Sequence, residues 1–182
     1  ARKDLERELD EIKGLALLAR HCQVPLITVL PSPHPEISAR EVDRLSQLVL
    51  AASKEGIELS VSTQGGTWAC VPDSLAIACK AIKGLSVTMD PTHFPILEMS
   101  AESLDLVLPR IAHVHLRDSG KGPLQFQTKV GKGQVEHGRI LNLLERADYQ
   151  RLLSIDIHDI PDSPFPVFPE VRKMKFLLES LL

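Results

Sequence analysis

The feature that most constrains this chain is a strict alternation along the sequence. Five short runs of strand-forming residues, at 25–30 (PLITVL), 58–63 (ELSVST), 85–90 (LSVTMD), 112–117 (AHVHLR) and 152–157 (LLSIDI), are each separated from the next by a segment of helical periodicity. The opening residues, 4–21, place Leu5, Leu9, Ile12, Ala16 and Ala19 at steps of four and three, which predicts one buried helical stripe. A second helix starts at Ser38, where Ser38 and Glu41 fit a capping box, and buries Val42, Leu45, Leu48 and Ala52 before Gly56 ends it. Further helices are expected over about 73–82, 101–108 and 138–146, with a last one through Val171, Met174, Leu178 and Leu181. Strand, helix, strand in succession is a βαβ unit and implies a parallel sheet. No linker divides the chain, so residues 1–182 read as a single α/β domain.

Side chains alternate faces along a strand, so each run sorts by period two. Glu58, Ser60, Ser62 and Gln64 oppose Leu59 and Val61; Ser86, Thr88 and Asp90 oppose Leu85, Val87 and Met89. His113, His115 and Arg117 oppose Ala112, Val114 and Leu116, and Ser154, Asp156 and His158 oppose Leu153, Ile155 and Ile157. Four successive strands thus carry an apolar face for covering helices and a polar face that becomes more ionisable toward the strand's C-terminal end. Parallel (β/α) barrels place their sites there. A half-solvated antiparallel sheet gives the same alternation, but helical crossovers oppose it. A doubly wound open sheet lacks support because no dinucleotide glycine fingerprint is present.

A net charge of -3 with both signs interspersed leaves no basic stripe for a phosphate backbone, so nucleic acid is not an expected partner. No apolar run is long enough to span a bilayer, and no signal-peptide pattern opens the chain. Cys22, Cys70 and Cys79 form neither a CxxC pair nor a disulfide framework. These features lead us to expect a cytoplasmic protein that handles a small molecule.

The segments VSTQGGT (61–67), GLSVTMDPTH (84–93), HVHLRDSGKGPLQ (113–125), GKGQVEHGRIL (131–141) and DYQRLLSID (148–156) resemble, in order and spacing, the sugar-phosphate isomerase/epimerase family of xylose isomerase-like TIM (β/α)₈ barrels, to which endonuclease IV is related. The resemblance covers nearly the whole chain, and its most specific pieces are D-P-x-H and H-V-H-x-R-D at strand ends. It implies the last five βα units of the barrel, with the first three strands outside this sequence. It also implies a divalent cation (Mn²⁺, Mg²⁺, Co²⁺ or Zn²⁺) whose four ligand positions fall on Ser62, Asp90, His115 and Asp156. His93 and Arg117 then contact substrate oxygens, and Gln125 or Gln127 faces the substrate from the Gly-rich stretch 120–133, read as a loop over the barrel mouth. The implied reaction is proton transfer beside the carbonyl of a small polyhydroxylated sugar or sugar phosphate, with Asp156, His93 and Arg117 as catalytic groups.

Two ligand positions depart from the family's Glu. Ser62 has neither charge nor useful basicity, and Asp156 is one methylene shorter. Asp90, His115 and Asp156 remain as a three-ligand set with open positions for water. The rival reading is a non-catalytic binding domain that kept the fold; phosphodiester hydrolysis of the endonuclease IV type would need more His ligands and a basic groove. Residue by residue, blander roles also stand. Asp90 before Pro91 suits an ordinary turn, Arg117 and Asp118 could form a local ion pair, and Trp68 could be either core or sugar platform. His34 and His137 are assigned no role.

A closed barrel typically takes about 250 residues. Five strands leave two raw edges. Two explanations are open: a fragment of a longer barrel, or an incomplete barrel whose edges pair with a second copy as a homo-oligomer.

Overall fold

The computed structural model describes residues 2–122, 125–161 and 163–181. Helix α1 (Arg2–His21) leads into strand β1 (Leu26–Val29), followed by α2 (Ala39–Ser53), β2 (Glu58–Ser62), α3 (Pro72–Ala81), β3 (Leu85–Met89), α4 (Ala101–Val107), β4 (Ile111–Leu116), α5 (His137–Arg146), β5 (Leu152–Ile155) and α6 (Val167–Leu181). All five strands pair in parallel in the order β1-β2-β3-β4-β5. The expected alternation is therefore present, and the strands form a half-barrel covered by helices, an incomplete (β/α) barrel. Each strand ends one or two residues earlier than the sequence suggests, so Asp90, Arg117 and Asp156 stand just past the strand ends.

The outward strand faces and inward helix stripes form one core. Leu59, Val61, Leu85, Val87, Met89, Val114 and Leu116 are fully or almost fully buried, against Leu45, Leu48 and Ala52 of α2 and Leu75 and Ala78 of α3. Burying such side chains stabilises by about 1.5–3 kcal/mol each. The last helix buries Met174 and Leu178 as expected, but Glu170 is buried in place of Val171, which is only partly covered, and Leu181 is exposed. At Ser38 only half of the expected capping box forms. The Ser38 hydroxyl accepts from the Glu41 N–H (3.2 Å), whereas the Glu41 carboxylate turns away to Ser32 N–H and Arg44.

The polar faces meet on the concave side in layers. At the N-terminal end Arg151 reaches across to Glu58 (2.5 Å), which also accepts from the Ser86 hydroxyl. In the middle, the hydroxyls of Thr28, Ser60 and Thr88 hydrogen-bond one another at 2.6–2.9 Å, and His113 Nε2 bonds Ser154 Oγ at 2.6 Å. A hydroxyl on β1 touching one on β3 requires strong curl, which the interleaved layers of a barrel interior supply. The pairing of β3 with β4 steps from Val87↔Ile111 to Thr88↔His113, so β4 carries one extra residue, a bulge at Ala112. That step lets Ile111 and Ala112 both be buried while His113 and His115 keep the concave face.

Candidate functional site

The third layer, at the C-terminal end of the strands, gathers the ionisable residues. Asp90 follows β3, and its backbone N–H is fixed by Thr63 Oγ1 (2.8 Å). Its Oδ1 accepts from both the N–H (2.9 Å) and the hydroxyl (2.6 Å) of Thr92, a turn of the kind Asp favours. Its Oδ2 takes Nη2 of Arg117 at 2.5 Å. Asp90 is therefore both turn residue and ion-pair partner, and Arg117 is not paired with the adjacent Asp118.

Arg117 is buried, with 8% of its surface exposed, and its guanidinium lies between the two carboxylates. Nη2 serves Asp90 and His93 Nε2 (3.1 Å), Nε approaches Thr92 Oγ1 (3.4 Å), and Nη1 lies 3.7 Å from Asp156 Oδ2. Because a guanidinium only donates, His93 Nε2 must accept and the ring proton sits on Nδ1. Nδ1 is buried without a hydrogen-bond partner among the described residues. It packs on Gly65, where a Cβ would come within 2.8 Å of it. Burial chiefly, with the charge of Arg117 adding and that of Asp90 opposing, holds His93 below the usual histidine range, so its ring is neutral.

Just past β5, Asp156 lies beside His115 (Nδ1 to Oδ2, 3.4 Å) and His158 (Nε2 to Oδ1, 3.2 Å). The polar contact with His115 holds the Asp156 carboxyl down at about 2; burial opposes, and the charges of His115, His158 and Arg117 assist. His113 meets His115 edge-on at 4.6 Å, and burial, with the charge of His115 adding, holds its ring below the usual histidine range. Ser62 ends β2, opposite Thr88 of β3.

The Gly-rich loop lies over this layer. Phe126 packs on His93 with ring centroids 4.5 Å apart. Gln127 and the backbone of His158 exchange two hydrogen bonds (2.8 and 2.7 Å), tying the loop to the segment after β5. Gln125 turns its Oε1 into the loop itself, toward Gly122 N–H (3.3 Å). The loop's anchor is Asp118, whose two oxygens accept from the N–H groups of Ser119, Gly131, Gly133 and Val135 at 2.9–3.3 Å. His137, read from sequence as having no role, bonds the Arg117 carbonyl from the start of α5 (3.2 Å). Trp68 is fully buried and belongs to the core, not to a sugar platform. A cavity of about 540 Å³ opens between the loop after β3 and the Gly-rich loop, with Thr92, His93, Ser119, Gly120, Gln134 and Arg139 among its walls.

The sequence model of the xylose isomerase-like TIM barrel matches residues 1–177. The chain belongs to the xylose isomerase-like TIM barrel family. Three solved structures of this family's fold superpose on it. They are a xylose isomerase domain protein from Planctomyces limnophilus (19% identity, TM-score 0.75), a xylose isomerase-like TIM barrel protein from Mycobacterium smegmatis in complex with magnesium (16%, 0.70) and an L-ribulose 3-epimerase (15%, 0.75). Each covers 97% of this chain, which in turn spans 64%, 67% and 68% of their lengths. At these identities the likeness is one of fold. Comparison with the curated proteins found no match.

The family resemblance implies a divalent cation, and the donor set can be tested against one. Asp90 has Oδ1 committed to Thr92 and Oδ2 to Arg117; both oxygens of Asp156 face His115, Arg117 or His158; Ser62 offers only a neutral hydroxyl. Among the described residues no group of three or more His, Cys, Asp or Glu side chains is arranged to hold a metal ion. A guanidinium stands between the carboxylates that would be its ligands. As arranged, this xylose isomerase-like barrel's site does not fit a divalent ion.

Thr92, Phe126 and Gly65 were not singled out from sequence. Thr92 had a local signal, since a Thr two residues after a strand-end Asp suits an Asx turn. Nothing local marks Phe126 or Gly65, which matter only through His93.

Proposed function

We propose that this chain is a sugar isomerase/epimerase-like protein that binds a small polyhydroxylated carbonyl compound at the mouth beside β3, β4 and β5 and moves a proton next to its carbonyl. The observation that carries the reading is the pairing of His115 with Asp156 beside Nη1 of Arg117. Asp156, held at about 2, is a weak proton acceptor near neutrality, and so acts by orienting His115. Nε2 of His115 has no hydrogen-bond partner among the described residues and is the acceptor in this scheme.

The proton leaves the carbon next to the carbonyl for His115. The C–H electron pair becomes the C=C bond of an enediolate, and the carbonyl oxygen takes the negative charge opposite Arg117, a fixed cation in a sheltered site. Thr92 and His93 line the cavity in which the remaining hydroxyls would sit. With Ser62 at the position of a second carboxylate, the proton returns from the side it left. Such one-sided return, to the former carbonyl carbon, uses the C=C electron pair for the new C–H bond while the neighbouring hydroxyl passes its proton to the former carbonyl oxygen and becomes the new C=O; it shifts the carbonyl without inverting a centre, so isomerisation is favoured over epimerisation.

The test is exchange of carbon-bound hydrogen with deuterated water across a panel of aldoses, ketoses and their phosphates, followed by NMR. Exchange that Arg117-containing wild type catalyses and His115→Gln loses is the expected result. No exchange and no saturable binding with any panel member would sink the proposal. Binding without exchange would favour the second reading, a non-catalytic sugar-binding domain, for which the neutral hydroxyl of Ser62 speaks.

A further inference from the structure

We infer that Arg117 is the resident cation of this site: its guanidinium occupies the place between Asp90 and Asp156 that a divalent ion would need, and the chain has no requirement for one. Two of the implied metal ligands, Asp90 and Asp156, face Arg117, and the imidazole beside them is His93 rather than the implied ligand His115. A carboxylate lies 2.5 Å from Nη2, an imidazole lone pair 3.1 Å from the same nitrogen, and a second carboxylate 3.7 Å from Nη1. His93 turns its accepting nitrogen, Nε2, to the guanidinium rather than to the cavity.

Charge points the same way. Two carboxylates and one guanidinium leave this layer at about one negative charge, and a divalent ion placed among them would lie against a fixed positive group. Arg117 cannot step aside by losing its proton, because a guanidinium stays charged in proteins. Nor does it have solvent to swing into at low cost: its side chain is 10% exposed, and its backbone carbonyl is held by His137. The substitution at Ser62 fits this arrangement. A third carboxylate at the end of β2 would leave two negative charges beside a single guanidinium, whereas a serine adds none.

The inference concerns the cation, not the substrate. It can fail while the deuterium exchange succeeds, and the reverse.

The experiment is calorimetric titration of the chelator-stripped protein with Mn²⁺ and with Zn²⁺, in wild type, Arg117→Met, and the double variant Asp90→Asn/Arg117→Met, with circular dichroism to confirm folding. Wild type is expected to bind neither ion at concentrations up to about millimolar, far above catalytic-site affinities. Arg117→Met is expected to gain one site at least tenfold tighter than anything in wild type, with a matching rise in thermal midpoint on adding Mn²⁺, and the double variant is expected to lose it. Arg117→Gln, which keeps a hydrogen-bond donor but drops the charge, carries the same test if Arg117→Met does not fold. One equivalent of metal bound by wild type and abolished by Asp90→Asn would overturn the inference. So would a folded, uncharged Arg117 variant that gains no metal affinity, since the guanidinium would then not be what keeps an ion out.

Discussion

Arg117 and Asp90, the first residues past two neighbouring strands, meet at 2.5 Å in the interior, and this contact organises the mouth of the half-barrel. Asp90 reads the turn after β3 through Thr92 on one oxygen and fixes the guanidinium with the other. The same guanidinium carries the bond to His93 and faces Asp156. Turn geometry, charge neutralisation and the histidine tautomer are thus one linked arrangement.

The pair supports a double-mutant cycle. Arg117→Met leaves the buried Asp90 carboxylate without its cation, and Asp90→Asn leaves the buried guanidinium without its closest anion. Each single variant is expected to cost about 3–5 kcal/mol of stability, because an uncompensated buried charge is worse than none. The double variant, with neither charge, is expected to cost clearly less than the sum of the two. Urea unfolding followed by circular dichroism checks this; additive costs would mean the two residues act separately.

Acid should loosen the fold through histidines before it reaches the carboxylates. Burial holds His113 and His93 below the usual value of 6.5 in the folded chain. The unfolded chain therefore takes up protons at these rings first, and stability falls as pH drops from about 6.5 toward the folded values. Asp156 contributes in a lower window: its stabilisation is present above the ordinary carboxylate value and lost as pH falls toward about 2. Denaturant midpoints are expected to be lower at pH 5.5 than at 7.5, and His113→Asn, which can still bond Ser154, is expected to shrink that difference. A midpoint unchanged between the two pH values would contradict the lowered values of these two rings.

Asp118 holds the loop over the mouth with four backbone N–H groups. Asp118→Ala removes all four acceptor contacts and is expected to cost about 2 kcal/mol, since charge-assisted bonds count for more than neutral ones. Hydrogen exchange of the Gly131, Gly133 and Val135 amides is expected to speed up roughly tenfold or more as the loop opens locally. Asp118→Asn should do nearly as badly, because its NH₂ turns a donor toward N–H groups that need an acceptor. Exchange rates unchanged in both variants would show that other contacts hold the loop.

Much of the fold was legible because local sequence records backbone period. The four-and-three spacing of Ile12, Ala16 and Ala19, the period-two faces of β2 to β5, and Ser38 as N-cap are each set within a few residues. Even there, limits show. The carboxylate of Glu41 was free to find Arg44 and Ser32 instead of closing the capping box, and in α6 Glu170 is buried where the stripe is expected to start at Val171. The candidate site was legible as a set of residues at strand ends, but not as a set of contacts.

By itself, then, the sequence determined that this chain builds parallel βα units with ionisable groups at the strand ends, since hydrophobic period and turn chemistry act over short separations. Only the tertiary structure decided who meets whom there. Arg117 could have paired with its neighbour Asp118; instead it pairs with Asp90, 27 residues away, while Asp118 turns to the loop amides. That choice depends on the register between β3 and β4, including the extra residue at Ala112, and on the curl that carries Asp156 toward the same guanidinium. Register and curl are set by packing of the whole sheet against its helices, so a contact between distant strand ends has no trace in local sequence.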